Sequence, residues 1–285
     1  MLRLLFIAVA YGMAFSLSNA AAIEGRVLEV LPKGRLLKVE LTKAVDPLSV
    51  GQIMDFKVGK GDHVIGYSGR LIKGKAVHYA KRWHLETIFP LDGPQAKAVA
   101  AVNRELHEAT ATKTRRKALR KGDYIPNFGM VDHNGDFLQI KQLRGKAFIL
   151  NFIFTRCAVP EMCPASSTKM SELQDLAIER DWKGLNFVTI TFDPAYDSPG
   201  ILTEYMESYG LEPESFRMLT NVDPMVVEDL LYQFGILTRE ENGTITHTIT
   251  TFLIDANGKI VLAKDGPRWE TGAFLKAAEK LMNQK

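Results

Sequence analysis

Cys157 and Cys163 are the entire cysteine content of this 285-residue chain, and five residues separate them in "FTRCAVPEMCP". A pair this close can lock a loop as a disulfide, cycle between dithiol and disulfide, or offer two thiolates to a soft metal. As a structural staple the pair is weak. In the loop-entropy picture a bridge over so short a segment contributes about 2.4 kcal/mol, against about 4.7 kcal/mol for a loop of about 100 residues. Redox or metal chemistry is the stronger reading.

The elements around the pair support a site. "KAFILNFIF" is almost continuously apolar, as expected of a strand buried on both faces. Pro164 suits the first turn of a helix, predicted to run from there to about Arg180. Cys163 would then immediately precede that helix, where unpaired N–H groups and the helix dipole favour thiolate over thiol. Cys157 would lie at the strand exit, the carboxyl edge where α/β folds place their sites. Upstream, "FGMVDHNGDFLQI" reads as a hairpin turning at Asn134-Gly135. Downstream come the strand "NFVTITF", a helix over roughly 198–209, "FRMLTN" and the helix "DPMVVEDLLYQFG". The hairpin "TTFLIDANGKIVLAK" and a last helix, "TGAFLKAAEKLMNQ", close the chain. Strand, helix, strand, then hairpin and helix is a thioredoxin-like α/β order.

Three blocks carry a resemblance. "GDYIPNFGMVDHNGDFLQIKQLRGKAFILNFIFTRC…CP", "TFDPAYDSPGILTEY" and "ITHTITTFLIDANGKIV" stand in the order found in the Sco (SenC-type) copper-chaperone family. The likeness spans roughly residues 122–285. It implies a thioredoxin-like fold, and copper bound by Cys157, Cys163 and His247. It also implies a metallochaperone that serves the binuclear copper site of cytochrome c oxidase subunit II. The chemistry agrees, since two thiolates and an imidazole suit Cu(I), and imidazole also suits Cu(II). His247 alone would read as a satisfied loop histidine. A thioredoxin-type oxidoreductase, however, usually carries proline where this chain has Thr246-His247-Thr248. The family motif has three residues between its cysteines, and here there are five. Met162, inside the enlarged loop, offers a thioether or simply packs. Asp193 is read as a group that orients His247 or tunes the thiolates, with a turn role as the alternative. Asp197 flanks the same strand-to-helix junction. Arg156 either lowers the pKa of Cys157 or faces solvent, and His133 is a turn residue. The competing function is a thiol–disulfide oxidoreductase that uses Cys157 and Cys163 as its redox pair, acting on cysteines of exported proteins. A partner thiol reductant would then be required. "FTRCAVP" lacks the Thr-x-x-Cys arrangement of a peroxidatic thiol.

The remainder of the chain frames this half. Residues 1–22 carry one basic residue, Arg3, and an apolar run from Leu4 to Leu17, with Ser18-Asn19-Ala20 as a cleavage site. That run is shorter than the ~20 residues that span a bilayer, so an export signal is expected and a membrane anchor is the alternative. Residues 23–92 contain five short segments rich in Val, Ile and Leu, expected to form a small all-β, OB-like barrel. Within it Met54 is the lone methionine, and His63, His78 and His84 do not assemble a site by spacing. "GYSGR" lacks the last glycine of a nucleophile elbow. Residues 93–121 read as a helical connector whose basic end, 113–121, would meet an anionic membrane surface or simply be solvated. Residues 122–285 form the α/β domain. A net charge of +3 and 24% charged residues call for no nucleic-acid partner.

Overall fold

The computed structural model describes residues 20–112, 118–241 and 244–283. The expected signal, 1–22, lies almost wholly outside the described residues, as does most of the basic stretch 113–121. Among the described residues no helix is long and apolar enough to cross a membrane.

The first five strands are β1 (Ala21–Leu31), β2 (Leu36–Lys43), β3 (Ile53–Lys57), β4 (Leu71–Tyr79) and β5 (Arg82–Pro90). They close a barrel in the order β1-β2-β3-β5-β4. Alternating residues point inward, and Ile23, Val27, Val39, Phe56, Ile72 and Ile88 fill the core. β1 begins at Ala21, two residues inside the expected signal, and Ala21 is itself buried. Two expectations fail here. "HVIGYSGRLI" is not one strand, because α1 (Lys60–Ile65) occupies its first part and makes the unit not wholly β. "KAVHYAKRWHLETIFP" is two strands joined at Ala80-Lys81, both with positive φ. That conformation favours glycine or asparagine, so the turn carried no composition signal.

The second body is a seven-stranded sheet in the order β14-β13-β8-β9-β10-β6-β7. Its strands are β6 (Gly129–Asp132), β7 (Phe137–Gln139), β8 (Ala147–Ile153), β9 (Leu185–Thr191), β10 (Phe216–Thr220), β13 (Thr250–Ile254) and β14 (Ile260–Asp265). β8, β9 and β10 run parallel, and every residue of β8 is buried. The covering helices are α2 (Ala96–Ala111), α3 (Cys163–Glu179), α4 (Pro199–Ser208), α5 (Pro224–Phe234) and α6 (Thr271–Met282). A separate two-stranded arm, β11 (Thr238–Glu241) with β12 (Thr244–His247), was not expected. Its sequences, "TREE" and "TITH", have too few apolar residues to signal strands.

Helix α2 is not a free connector. Val99, Val102 and Leu106 are buried, and Asn103 exchanges hydrogen bonds with the backbone of Gly129 at 3.0 and 2.8 Å. A Cβ at Gly129 would come within 2.7 Å of Val99, so the close approach requires glycine. His107 Nδ1 lies 3.0 Å from Asp229 on α5.

The barrel meets the α/β half through α1 and α4. A Cβ at Gly61 would lie 1.9 Å from the carbonyl oxygen of Gly200, so these backbones touch directly. Glu204 accepts from the Gly61 N–H at 2.8 Å, and Lys60 pairs with Glu207 at 2.5 Å. Asp62 is buried in this seam, accepts from the Tyr67 hydroxyl at 3.0 Å, and is pushed up to about 7 by burial. Because that folded-state value lies above the ordinary 3.8, the native state holds the extra proton between the two. Stability therefore falls as pH rises from 3.8 to about 7, and the loss is constant above. Asp62→Asn is expected to flatten this window by a few kcal/mol at most. Denaturant midpoints measured across the window check this; an unchanged slope in the variant would remove Asp62 as its source.

Candidate metal centre

The carboxyl ends of β8 and β9 build the site. β8 leads through Phe154, Thr155 and Arg156 to Cys157, and a turn over 159–162 then feeds α3. In that turn the Met162 N–H reaches the Val159 carbonyl at 3.0 Å, and Ser166 N–H reaches the Met162 carbonyl at 3.0 Å. The longer spacing is absorbed in this turn. Met162 is the N-cap of α3 and half-buried; Cys163 is the first helical residue, so the helix begins one residue earlier than expected.

Cys157, Cys163 and His247 come together. Their ligand atoms lie within 4.8 Å of one another, and both cysteines are free. Among the described residues no other trio of His, Cys, Asp or Glu does so. Cys163 Sγ is 3.5 Å from His247 Nε2. His247 Nδ1 is 3.2 Å from the Thr248 carbonyl, so Nδ1 carries the proton and the Nε2 lone pair faces the sulfurs. The ring is walled by Phe192 at 4.5 Å and, edge-on, by Phe154 at 5.7 Å. Burial among them lowers the imidazole pKa and keeps the ring neutral.

The expectation of an activated thiolate at the helix start fails for Cys163. Its side chain is fully buried, and desolvation pushes the thiol well up. A backbone hydrogen bond to Phe154 counters this only in part, and the nearby Cys157 adds to the rise. Desolvation outweighs the dipole. Cys157 is half-buried, with Sγ 3.9 Å from the Val159 carbonyl. Alkylation of the reduced, metal-free protein should therefore modify Cys157 first, with Cys163 slower by about tenfold or more. Peptide mass mapping over time reads this, and equal rates would contradict the burial of Cys163.

Asp193 does not reach His247. Its carboxylate accepts from Arg156 Nε at 3.1 Å and Nη2 at 2.5 Å. Asp193 is thus tied to the residue before Cys157, and Arg156 faces solvent, as one of its two expected roles had it, while paired to Asp193. The guanidinium also stacks over Tyr196, 4.4 Å from the ring centre. His133 is buried at the hairpin turn, where its Nδ1 takes the Met218 N–H at 3.4 Å.

Two supporting roles escape the sequence, although it places Asp197 at this junction. Asp197, fully buried, accepts from the Thr155 N–H at 3.1 Å and from the hydroxyls of Thr155 and Thr191. It clamps the β8 exit to β9, and burial pushes its carboxyl up to about 6. Asn151, inside β8, donates to Ser166 Oγ at 3.0 Å and accepts from Thr189 at 2.6 Å. This fixes the first turn of α3 against the strands. The lone amide in "AFILNFIF" was the visible signal for that network.

The family model for SCO1/SenC matches residues 116–283, which leaves the barrel outside the match. An SCO2-like protein of Rickettsia typhi is 31% identical over 141 residues, 47% of this chain and 66% of that protein. The chain thus spans just under two thirds of that relative's length. Arabidopsis thaliana ScoI, solved with copper bound, superposes with a TM-score of 0.50 at 21% identity, over 57% of this chain and all (100%) of that one. BsSco, a member of the Sco family of cytochrome c oxidase assembly proteins, gives 0.52 at 19%, over 59% of this chain and 100% of its own. These likenesses establish the thioredoxin-like fold of the α/β half.

Proposed function

The chain belongs to the SCO1/SenC family, and on that premise we propose that it is an exported copper metallochaperone for the binuclear site of cytochrome c oxidase subunit II. The observation that carries this is the Cys157–Cys163–His247 cluster, whose donor atoms converge within 4.8 Å. Copper is the cargo. Cys157 and Cys163 hold it as thiolates and His247 holds it through Nε2, a soft set suited to Cu(I). Arg156, braced by Asp193, lines the rim. Met162 stands at the helix start, available as a further thioether. Acceptor thiolates take the metal by ligand exchange from the half-buried Cys157 side. Anaerobic Cu(I) titration tests this: one copper per chain is expected for wild type and none for a Cys157→Ser/Cys163→Ser variant. Full binding by the variant would end the reading.

A second reading has an observation of its own, since both cysteines are free and adjacent. As a thiol–disulfide oxidoreductase, the pair would pass two electrons and two protons to a target disulfide and become a disulfide itself. A separate thiol reductant would restore it.

The two separate hydrophobic cores support a barrel domain over 23–92 and a thioredoxin-like domain over 122–285, with the expected connector, 93–121, adding Leu106 of α2 to the second core. The strand order and the helix between β3 and β4 support an OB-like reading of the barrel. Export would rest on residues 1–22, and any contact with an anionic membrane on the basic stretch 113–121.

A further inference from the structure

The seam between barrel and α/β half opens into two grooves that share Lys75, Thr87 and Ala195. One, of about 750 Å³, is apolar, with Val45, Val50, Phe89, Pro194 and Val222 on its walls. The other, of about 740 Å³, is cationic, with Arg35, Lys57, Lys75 and Arg82 around it. Glu86 is the exposed acidic residue on that wall, whereas Asp62 is buried at its base. Among the described residues none of the four cations is ion-paired. Arg35, Lys75 and Arg82 are exposed.

One side chain links the cationic groove to the residue beside the metal centre. Ala195 and Tyr196 line the groove, and the Tyr196 ring carries Arg156, the residue before Cys157. The seam is also firmly made. Besides the Gly61–Gly200 contact, Lys73 Nζ reaches the Val222 carbonyl at 3.3 Å. A rigid concave surface with an apolar half and an unpaired cationic half suits a polypeptide that carries both apolar and acidic side chains. A flat bilayer cannot enter a groove walled on two sides.

We propose that this seam is the docking surface for an acidic protein segment, apolar at one end, that belongs to the copper acceptor. This rests on the copper-delivery reading of the neighbouring centre. The cations steer the acidic segment along the groove, and the apolar half holds its end. The barrel, outside the SCO1/SenC match, thereby gives the centre a partner-reading face.

The test uses the full chain and a fluorescent peptide made of a leucine pair followed by a run of glutamates. Wild type is expected to bind it, more weakly as salt rises. The variant Arg35→Glu/Lys57→Glu/Lys75→Glu/Arg82→Glu should lose about tenfold or more in affinity. The milder Lys75→Ala/Arg82→Ala variant serves if the first does not fold, with a smaller loss in the same direction. No binding by wild type, or equal binding by the folded variants, overturns the proposal. So does equal charge-dependent binding to phosphatidylglycerol vesicles, which would make the surface a lipid reader. Cu(I) titration of the same proteins separates the two claims. Retained stoichiometric copper with lost peptide binding in the charge-reversed variant supports both. Peptide binding by a wild type that takes no copper would leave the groove standing and remove the copper reading.

Discussion

His247→Ala is expected to lower Cu(I) affinity by more than about 100-fold. Loss of a group one step removed from a metal typically costs about 10–100-fold, and His247 would supply a donor atom itself. Its Nε2 stands 3.5 Å from the Cys163 sulfur, with the ring held by the Thr248 carbonyl and the two phenylalanine walls. Truncation leaves two thiols and an empty space beside the packed pair Phe154 and Phe192. A competition titration against a chromophoric Cu(I) chelator, without oxygen, measures the change. Equal affinities in variant and wild type would remove His247 from the ligand set. The same variant separates the two functional readings. Disulfide exchange needs only the sulfurs and should survive it, whereas copper transfer should not.

Asp197→Ala is expected to destabilise the α/β half by on the order of 3 kcal/mol. Three donors, the Thr155 N–H and the hydroxyls of Thr155 and Thr191, would lose their shared acceptor in a buried setting. Each unsatisfied buried group costs about 1–3 kcal/mol, and the threonine hydroxyls recover part by turning elsewhere. Asp197→Asn should be milder, because it keeps an acceptor oxygen for these donors. Urea unfolding monitored in the α/β half reads the difference. A wild-type midpoint for Asp197→Ala would show that the clamp holds nothing. The alanine variant should also weaken copper binding, since Thr155 is two residues before Cys157.

Much of the frame was legible because local and global signals agree there. The apolar run of β8, the proline at the start of α3 and the Asn-Gly turns each dictate one structure. Where tertiary contacts decide, the reading failed. The Ala80-Lys81 turn is held by strand pairing rather than by turn residues, and the β11–β12 arm by a partner strand rather than by an apolar face. The environment of Cys163 was misjudged because the helix dipole is visible in sequence and the depth of burial is not. For Asp193 the turn role is borne out by the Tyr196 and Asp197 N–H groups on its carbonyl, whereas its side-chain partner, Arg156, lies 37 residues away in the chain and left no local signal. The convergence of His247 with the cysteines was legible from the resemblance and from its place just before a strand expected to adjoin the cysteine loop, since no spacing rule brings residues so far apart together.

The two hydrophobic cores share no buried residue, and the barrel's is much the smaller. Small cores are the less stable ones, and bodies with separate cores need not melt as one. If heating separates the two bodies despite the seam, the barrel, with the smaller core, is lost first. The proposed docking face would vanish while the Cys157–Cys163–His247 cluster still stood. Between the two melting points, copper binding would then persist, on the proposed reading, without peptide binding in the seam.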